Sequence, residues 1–493
     1  MPRVGRLATM PQRKIQLAQP VSETSLAESQ QLQQRFAAIR AELDVPSEFS
    51  AEVLAEARAA AAAASLPERD ETAVPFLTID PPGSMDLDQA LHIERDGEGY
   101  RVRYAIADVP AFVLPGGAVD QEARRRGQTV YAPDGRTPLH PPELSEAAAS
   151  LLPGETRPAF VWDMRLGSDG EGTAVEVYRA MVRSQERHDY AGVEEAVKQG
   201  AADERLVLLK EVGEKRIARE RERGGASLPM PEQEVAEDEK GHYRLFFRPL
   251  LASEDWNAQL SLMTGMAGAE MMVKGGIGIL RTMPQPEQGA LGRFRRQARA
   301  LGVPWPEGLP YGEFLRTLDR AHPQHLALIH EATALFRGAG YSPFDGQVPD
   351  QAGHAAVAAP YAHVTAPLRR LVDRFGLLVC EALSQGAEVP AWVREALPAL
   401  PGIMQASDRK AGGVERACAD AVEAAVLEDR VGQTFPAIVV DLSSNSGRSA
   451  VVQLQDPAVL ARADGEAELG TDVTVRLVEA QIASGAVRFE IVP

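Results

Sequence analysis

Asp80, Asp86 and Asp88 crowd one short loop, IDPPGSMDLDQA (79–90), and Gln89 directly follows the last of them. The apolar runs AVPFLTI and ALHI lead into and out of this loop, so the acids lie between two strand-like segments. Carboxylates forced this close repel one another unless a cation is shared among them. Asp beside Pro-Pro-Gly is also a good turn former, which accounts for one or two of these aspartates but poorly for three at this spacing. An all-oxygen donor set suits magnesium or manganese, hard cations that leave coordination places for water and phosphate.

A second constellation is PYAHVTAPLRRLVDRF (360–375), which carries Arg369, Arg370 and Arg374. Pro367 fits a first helical turn and Thr365 the N-cap before it. A helix N-terminus followed at once by guanidinium groups makes a phosphate anchor. The bland alternative pairs these arginines with Asp373 and Glu381 on a solvated face.

The elements that must position these groups change character along the chain. Residues 26–64 read as helix, with Ser50 as N-cap of a second segment and Pro67 at its far end. Residues 73–185 hold strand-like runs such as YRVRYAIADV and AFVWDMRL between Gly/Pro/Asp turns. Helical spacing returns from about 188 to 430, broken by Pro-rich joints, and short strands follow Asp429. The expected class is α+β and multidomain: a helical region over 1–68, a mixed α/β catalytic domain over 69–428, and a C-terminal OB-type β-barrel over 429–493.

The formal net charge of -18 opposes long-range attraction of a polyanion. A nucleic-acid site must then be a local basic channel inside an acidic shell. The two cysteines, Cys380 and Cys418, form no CxxC pair, which points to a reducing compartment and a cytoplasmic protein. No apolar run is long enough to span a bilayer. Arg3, Arg6, Arg13 and Lys14 with no acid before Glu23 fit a transit peptide or basic arm, or more simply a ragged cytosolic N-terminus.

The segments TIDPPGSMDLDQA, YAIADVPAFV, VDQEARRRGQTVYAP, LHPPELSEAAASLLPGETRPAF, RERERGGASLPMPE and YAHVTAPLRRLVDRF occur in that order. In this the chain resembles the ribonuclease II (RNB) family of exoribonucleases, over about residues 50–493. The resemblance implies metal-dependent hydrolysis of single-stranded RNA from its 3′ end to nucleoside 5′-monophosphates. It implies that Asp80, Asp86 and Asp88, with Gln89 beside them, hold two divalent ions, Mg2+ or Mn2+. By motif position, Asp86, Asp88 and Arg369 would be catalytic. Tyr131 and Tyr190 would stack or clamp the terminal bases, a contact indifferent to base identity. Alone, each tyrosine more commonly reads as a core ring with a satisfied hydroxyl. Arg369, Arg370 and, in the barrel's hairpin, Arg448 are the arginines expected on RNA.

The chain departs from the family pattern in three places. Gln89 stands where the motif has a fourth aspartate, which leaves open an RNA-binding relative with weak or no catalysis. Leu260 and Ser261 stand where the family often has a Glu pair. The first 68 residues cannot hold the cold-shock-type domains usual in bacterial relatives, so RNA contact is expected from their helices, from the barrel and from basic helices, where Arg293, Arg295, Arg296 and Arg299 around Phe294 are candidates and a solvated helix face is the more common reading. The barrel's aromatics, Phe435 and Phe489, make a poor stacking platform, so charge and shape contacts are expected there.

Overall fold

The computed structural model describes residues 23–228, 232–237, 243–248, 251–442 and 449–493. Two helices open it, α1 (Glu23–Glu42) and α2 (Ala51–Ala62). Ser50 caps α2 as its sequence suggests, its Oγ accepting from the Val53 amide at 3.3 Å. The helix ends at Ala62, short of Pro67.

Next come β1 (Phe76–Ile79), β2 (Gln89–Asp96), β3 (Gly99–Ala107), α3 (Ala118–Arg126), β4 (Val130–Ala132), β5 (Gly135–Thr137), β6 (Thr156–Leu166) and β7 (Gly172–His188). Strands β1-β2-β3-β6-β7 close into a barrel, with β1 antiparallel to β2 and parallel to β7. Paired on both edges and buried along its length, β1 is apolar save Thr78, as an interior strand must be. The acidic loop is therefore the β1–β2 connection at one end of this barrel.

Helices α4 (Tyr190–Gln199) and α5 (Glu204–Arg223) lead to a β8–β9 hairpin (Glu232–Glu237, Tyr243–Arg248) and to α6 (Ala252–Gly275). Then follow β10 (Ile277–Thr282), α7 (Gln288–Ala300), α8 (Tyr311–Arg316), α9 (Pro323–Glu331), β11 (Gly340–Asp345), β12 (Gly353–His354) and β13 (Ala359–Pro360). The stretch from 188 to 430, expected to be helices broken by Pro-rich joints, also holds three two-stranded ribbons, β8-β9, β10-β11 and β12-β13. Strands this short carry too little alternation to compete with flanking helical periodicity. In α7, Phe294 faces inward, stacked edge-on against Trp305 and Phe314, while Arg293, Arg295, Arg296 and Arg299 stay exposed.

Helices α10 (Leu371–Ser384), α11 (Ala391–Ala396) and α12 (Leu400–Leu427) complete the central region. The first barrel, α6 and α10 share one core, in which Trp162, Tyr104 and Phe160 meet Leu260, Met263 and Phe375. Glycines on α6 permit that closeness: a Cβ at Gly265 would stand 2.2 Å from the Tyr361 ring.

The chain ends in a second closed barrel, β14 (Thr434–Leu442), β15 (Ser449–Leu454), β16 (Leu460–Asp464), β17 (Asp472–Gln481) and β18 (Ala486–Val492), ordered β14-β15-β16-β18-β17. It has the five strands expected of an OB-type barrel. Phe435 and Phe489 meet edge-to-face in its interior at 5.9 Å. Arg448 lies outside the described residues, as does the basic N-terminal stretch. Among the described residues no helix is long and apolar enough to cross a membrane.

Candidate active site

The barrel ladder runs straight into the acidic loop. The Asp80 amide donates to the His188 carbonyl and the Asp88 carbonyl accepts from the Ala107 amide, which clamps both ends of the loop to neighbouring strands. Between them, the Leu87 amide donates to Ser150 Oγ at 2.9 Å, and that hydroxyl donates to the Met85 carbonyl at 2.7 Å. All three carboxylates are buried, at 6 %, 4 % and 2 % exposure for Asp80, Asp86 and Asp88.

Opposite lies the 365–370 segment, and its geometry corrects one expectation. Helix α10 begins at Leu371, and Thr365 does not cap it. The roles are inverted: Asp373, inside the first turn, accepts from the amides of Thr365 and Ala366 at 2.9 and 2.8 Å. This buried carboxylate folds the TAPLRR segment back over the helix N-terminus, where negative charge is favoured. Asp373 also pairs with Arg370, which is 7 % exposed. Arg374 is buried too, paired with Asp120 at 2.6 Å. Pairing therefore occurs, as in the bland alternative, but in the core rather than on a solvated face.

Arg369 stands apart. Its Nε donates to Asp88 Oδ2 at 3.1 Å, while the Leu368 amide donates to Asp88 Oδ1 at 2.8 Å. Its two terminal nitrogens make no hydrogen bond among the described residues, so the guanidinium fork is available to an incoming oxyanion. Asp88 thus joins the acidic loop to the arginine segment.

The β4–β5 hairpin forms a third side. Its Arg136 donates to Asp86 Oδ1 at 2.7 Å and pairs with Glu146 at 2.8 Å. Tyr131 is the cross-strand partner of Arg136, and its buried hydroxyl has no hydrogen-bond partner among the described residues. The hairpin is brought close because Gly127 and Thr129, just before it, bond to the backbone of Leu371 and Arg369. Tyr190 is placed differently: it opens α4 within the barrel core, its hydroxyl accepting from Asn257 at 3.2 Å.

Gln89 is held at both ends of its amide. Its Nε2 donates to the Thr365 carbonyl at 2.7 Å, and its Oε1 accepts from the Tyr104 hydroxyl at 2.5 Å. Ser261 supports the same segment, its Oγ 2.8 Å from Thr365 Oγ1. Sequence reasoning missed Arg136, Tyr104 and Arg187, which reaches the Pro81 carbonyl at 2.8 Å. Only the strand alternation of YRVRYAIA hinted at Tyr104, which lies diagonally across β2–β3 from Gln89.

Burial pushes the Asp80 carboxyl up to about 8, helped by the charges of Asp88 and Asp86 and opposed by Arg369 and Arg187. Burial raises Asp88 to about 7 against the pull of Arg369. Asp86 is raised as well, chiefly by burial, with Arg136 opposing. Among the described residues no three acidic, histidine or cysteine groups converge into a finished metal cage. Asp86 and Asp88 are instead turned onto guanidiniums, and among the described residues Asp80 takes no hydrogen bond on its carboxylate. The donor set nevertheless fits a hard divalent cation: three buried, mutually repelling carboxylates on one loop, with compensating charge only from arginines that can be exchanged.

A pH dependence follows with a definite sign. A carboxyl whose folded pKa is raised favours folding least when ionised, so stability declines from about pH 4, the unfolded value, up to about pH 8, the value for Asp80. A bound cation removes that penalty and competes with protons for the same oxygens. Millimolar Mg2+ or Mn2+ should therefore raise the unfolding temperature more at pH 8.5 than at pH 6, as read by thermal unfolding with and without metal. An equal rise at both pH values would speak against cation binding at these carboxylates.

The RNB domain family matches residues 68–381, and the RNase II-type exonuclease C-terminal S1 domain matches residues 433–492. Ribonuclease R of Escherichia coli is 28 % identical over 411 residues, covering 78 % of this chain and 49 % of its own length. The chain thus spans about half the length of the curated relatives it matches. Among solved structures, Mycoplasma genitalium RNase R in complex with ribose-methylated single-stranded RNA superposes with a TM-score of 0.83 at 17 % identity, covering 94 % of this chain and 78 % of that one. Yeast Ssd1, a pseudonuclease, superposes with a TM-score of 0.66 at 20 % identity, covering 88 % and 54 %.

Proposed function

This chain belongs to the RNB domain family, and from that premise we propose that it is a divalent-metal-dependent exoribonuclease that removes nucleoside 5′-monophosphates from the 3′ end of single-stranded RNA. The observation that carries the proposal is the junction at Asp88, where the three-carboxylate loop meets an arginine whose fork is uncommitted. Asp80, Asp86 and Asp88 would hold the metal, for which two ions, Mg2+ or Mn2+, are the expected complement. When bound, such ions lower the pKa of water and offset charge on phosphate oxygens.

The protein's own groups do the rest. Asp88 fixes the Arg369 side chain through Nε and leaves the terminal nitrogens directed at the scissile phosphate's oxygens, where a phosphoryl transition state gathers negative charge. Tyr131, beside the carboxylates, offers a ring for the terminal base. Gln89 and Ser261 hold the Thr365 turn, and with it Arg369, in register with the loop. RNA would reach this site by contacts local to it, because the chain as a whole carries a charge of -18.

The test is product analysis. Single-stranded RNA labelled at its 5′ end, incubated with the purified protein and Mg2+ or Mn2+, should shorten from the 3′ end with release of 5′-mononucleotides, and EDTA should stop it. Loss of nucleotides from the 5′ end would reverse the polarity assigned here.

A second reading, an RNA-binding relative with little or no hydrolysis, is favoured by the missing fourth carboxylate at Gln89. The bonding of Gln89 yields an opposing expectation. In Gln89→Asp the Thr365 carbonyl loses its donor and faces a carboxylate, a loss of about 1–3 kcal/mol. The unfolding temperature should drop by several degrees in metal-free buffer and recover on adding Mg2+ or Mn2+, while hydrolysis at saturating metal stays at or below the parent's. A ten-fold gain in rate would mean that charge at this position limits catalysis, and would favour the second reading.

A further inference from the structure

The β4–β5 hairpin carries Tyr131 and Arg136 to the acidic loop, yet it is a poor free-standing element. Each strand has three residues, and a two-stranded ribbon of that size is marginal alone. Apolar support comes from α1 and α12, beside the backbone bonds of Gly127 and Thr129 to the arginine segment. Val130 and Ala132 are buried with Leu32, Phe36 and Ile39 of α1 and with Val414, Cys418 and Val422 of α12. On another flank, Val130 and Thr137 border a cavity of about 340 Å³, lined also by Pro46, Gln128, Ile403 and Ser407.

At the hairpin's turn the restraint becomes directional. Both terminal nitrogens of Arg40, in the last turn of α1, donate to the two carboxylate oxygens of Asp134, at 2.7 and 2.8 Å. The two side chains are 24 % and 14 % exposed, in a contact that opens to the surface at Asp134. A fork-to-carboxylate contact fixes orientation as well as distance. Two residues beyond Asp134 stands Arg136, whose bond to Asp86 reaches the carboxylate loop directly.

We infer that Arg40 and Asp134 are a positioning pair, through which helix α1 sets Arg136 and Tyr131 against the carboxylate loop. The region expected to contact RNA is thereby given a second role, as a strut for the site. The catalytic consequence rests on the exoribonuclease reading above; the structural one does not. Because an active-site displacement of about 1 Å can cost on the order of 100-fold in rate, loosening the hairpin should be felt in kcat.

The full-length chain tests this in two ways. In metal-free hydrogen–deuterium exchange, Arg40→Ala should speed exchange across residues 130–137 at least ten-fold while the β1–β7 barrel stays protected. In RNA hydrolysis with Mg2+, the same variant should lose about ten-fold in kcat. Arg40→Lys, which keeps the charge without the fork, should fall between, and the swap Arg40→Asp/Asp134→Arg should recover both readouts in part. Arg394→Ala, which breaks an exposed ion pair between α11 and β11, is the control and should change neither. Unaltered hairpin exchange in Arg40→Ala overturns the inference, and so does a loosened hairpin with unchanged kcat in an active parent. A parent that hydrolyses no RNA refutes the proposed function instead, and hairpin exchange still decides whether the pair positions the ribbon.

Discussion

Asp88→Asn should reduce release of mononucleotides from RNA by about three orders of magnitude or more and leave the chain folded. The substitution keeps shape and burial but removes a charge from the centre of the site. An asparagine oxygen can still accept from the Leu368 amide, as Asp88 does at 2.8 Å. Its amide nitrogen then faces Arg369 Nε, two donors opposed where a donor and an acceptor now stand 3.1 Å apart. The arginine loses its anchor and the metal loses a ligand, so two contributions to transition-state stabilisation fail together. Folding should be spared, because burial has already pushed the Asp88 carboxyl up to about 7 and a neutral isostere removes a desolvation cost. Thermal unfolding at pH 8 without metal should thus lie within a few degrees of the parent, or above it. Activity above a tenth of the parent's would remove Asp88 from the catalytic centre.

The site was legible where its residues are neighbours in sequence and obscure where the fold assembles it. Three aspartates on one loop announce themselves because their repulsion can be inferred from spacing alone. Arg136 directly follows Pro133-Asp134-Gly135, a turn-forming run, and nothing local says that a two-stranded ribbon carries it to Asp86. Tyr104 belongs to an alternating strand, and only the β2–β3 register places its hydroxyl on Gln89. The arginine segment was read in the right place with the wrong cap: Thr365 has the residue type, but Asp373 satisfies two amides at once and also pairs with Arg370. The C-terminal barrel was foreshadowed by short alternating runs between turn residues, as were the strands of the first barrel but not their closure. The ribbons between α5 and α10 were not, since strands of two to six residues amid helices leave no period to detect. The role of α1 was beyond reach for the same reason as Arg136, since the pairing of Arg40 with Asp134 spans 94 positions.

Arg369→Ala should lower kcat on RNA by roughly 100-fold or more, with a distinct signature in stability. The rate loss follows from geometry. The side chain spends Nε on Asp88 and holds its terminal nitrogens free, and only a planar fork can do both at once. Arg369→Lys keeps the charge but must choose between Asp88 and the phosphate, so it should recover only a small part of the rate. The stability signature follows from the electrostatics. Arg369 is the largest opposing influence on the raised Asp88 carboxyl and also lowers that of Asp80. Without it both groups take up protons more readily, and the metal-free variant should lose stability relative to the parent as pH rises through about 7 to 8. Added Mg2+ should return most of that stability, because a cation can replace the missing guanidinium as counter-charge, without returning the rate, because it cannot replace the fork. Thermal unfolding from pH 6 to 8.5, beside single-turnover hydrolysis at saturating metal, separates the two effects. If metal restored both together, Arg369 would be acting only as a counter-ion to the carboxylates, and the phosphate contact assigned to it would fall.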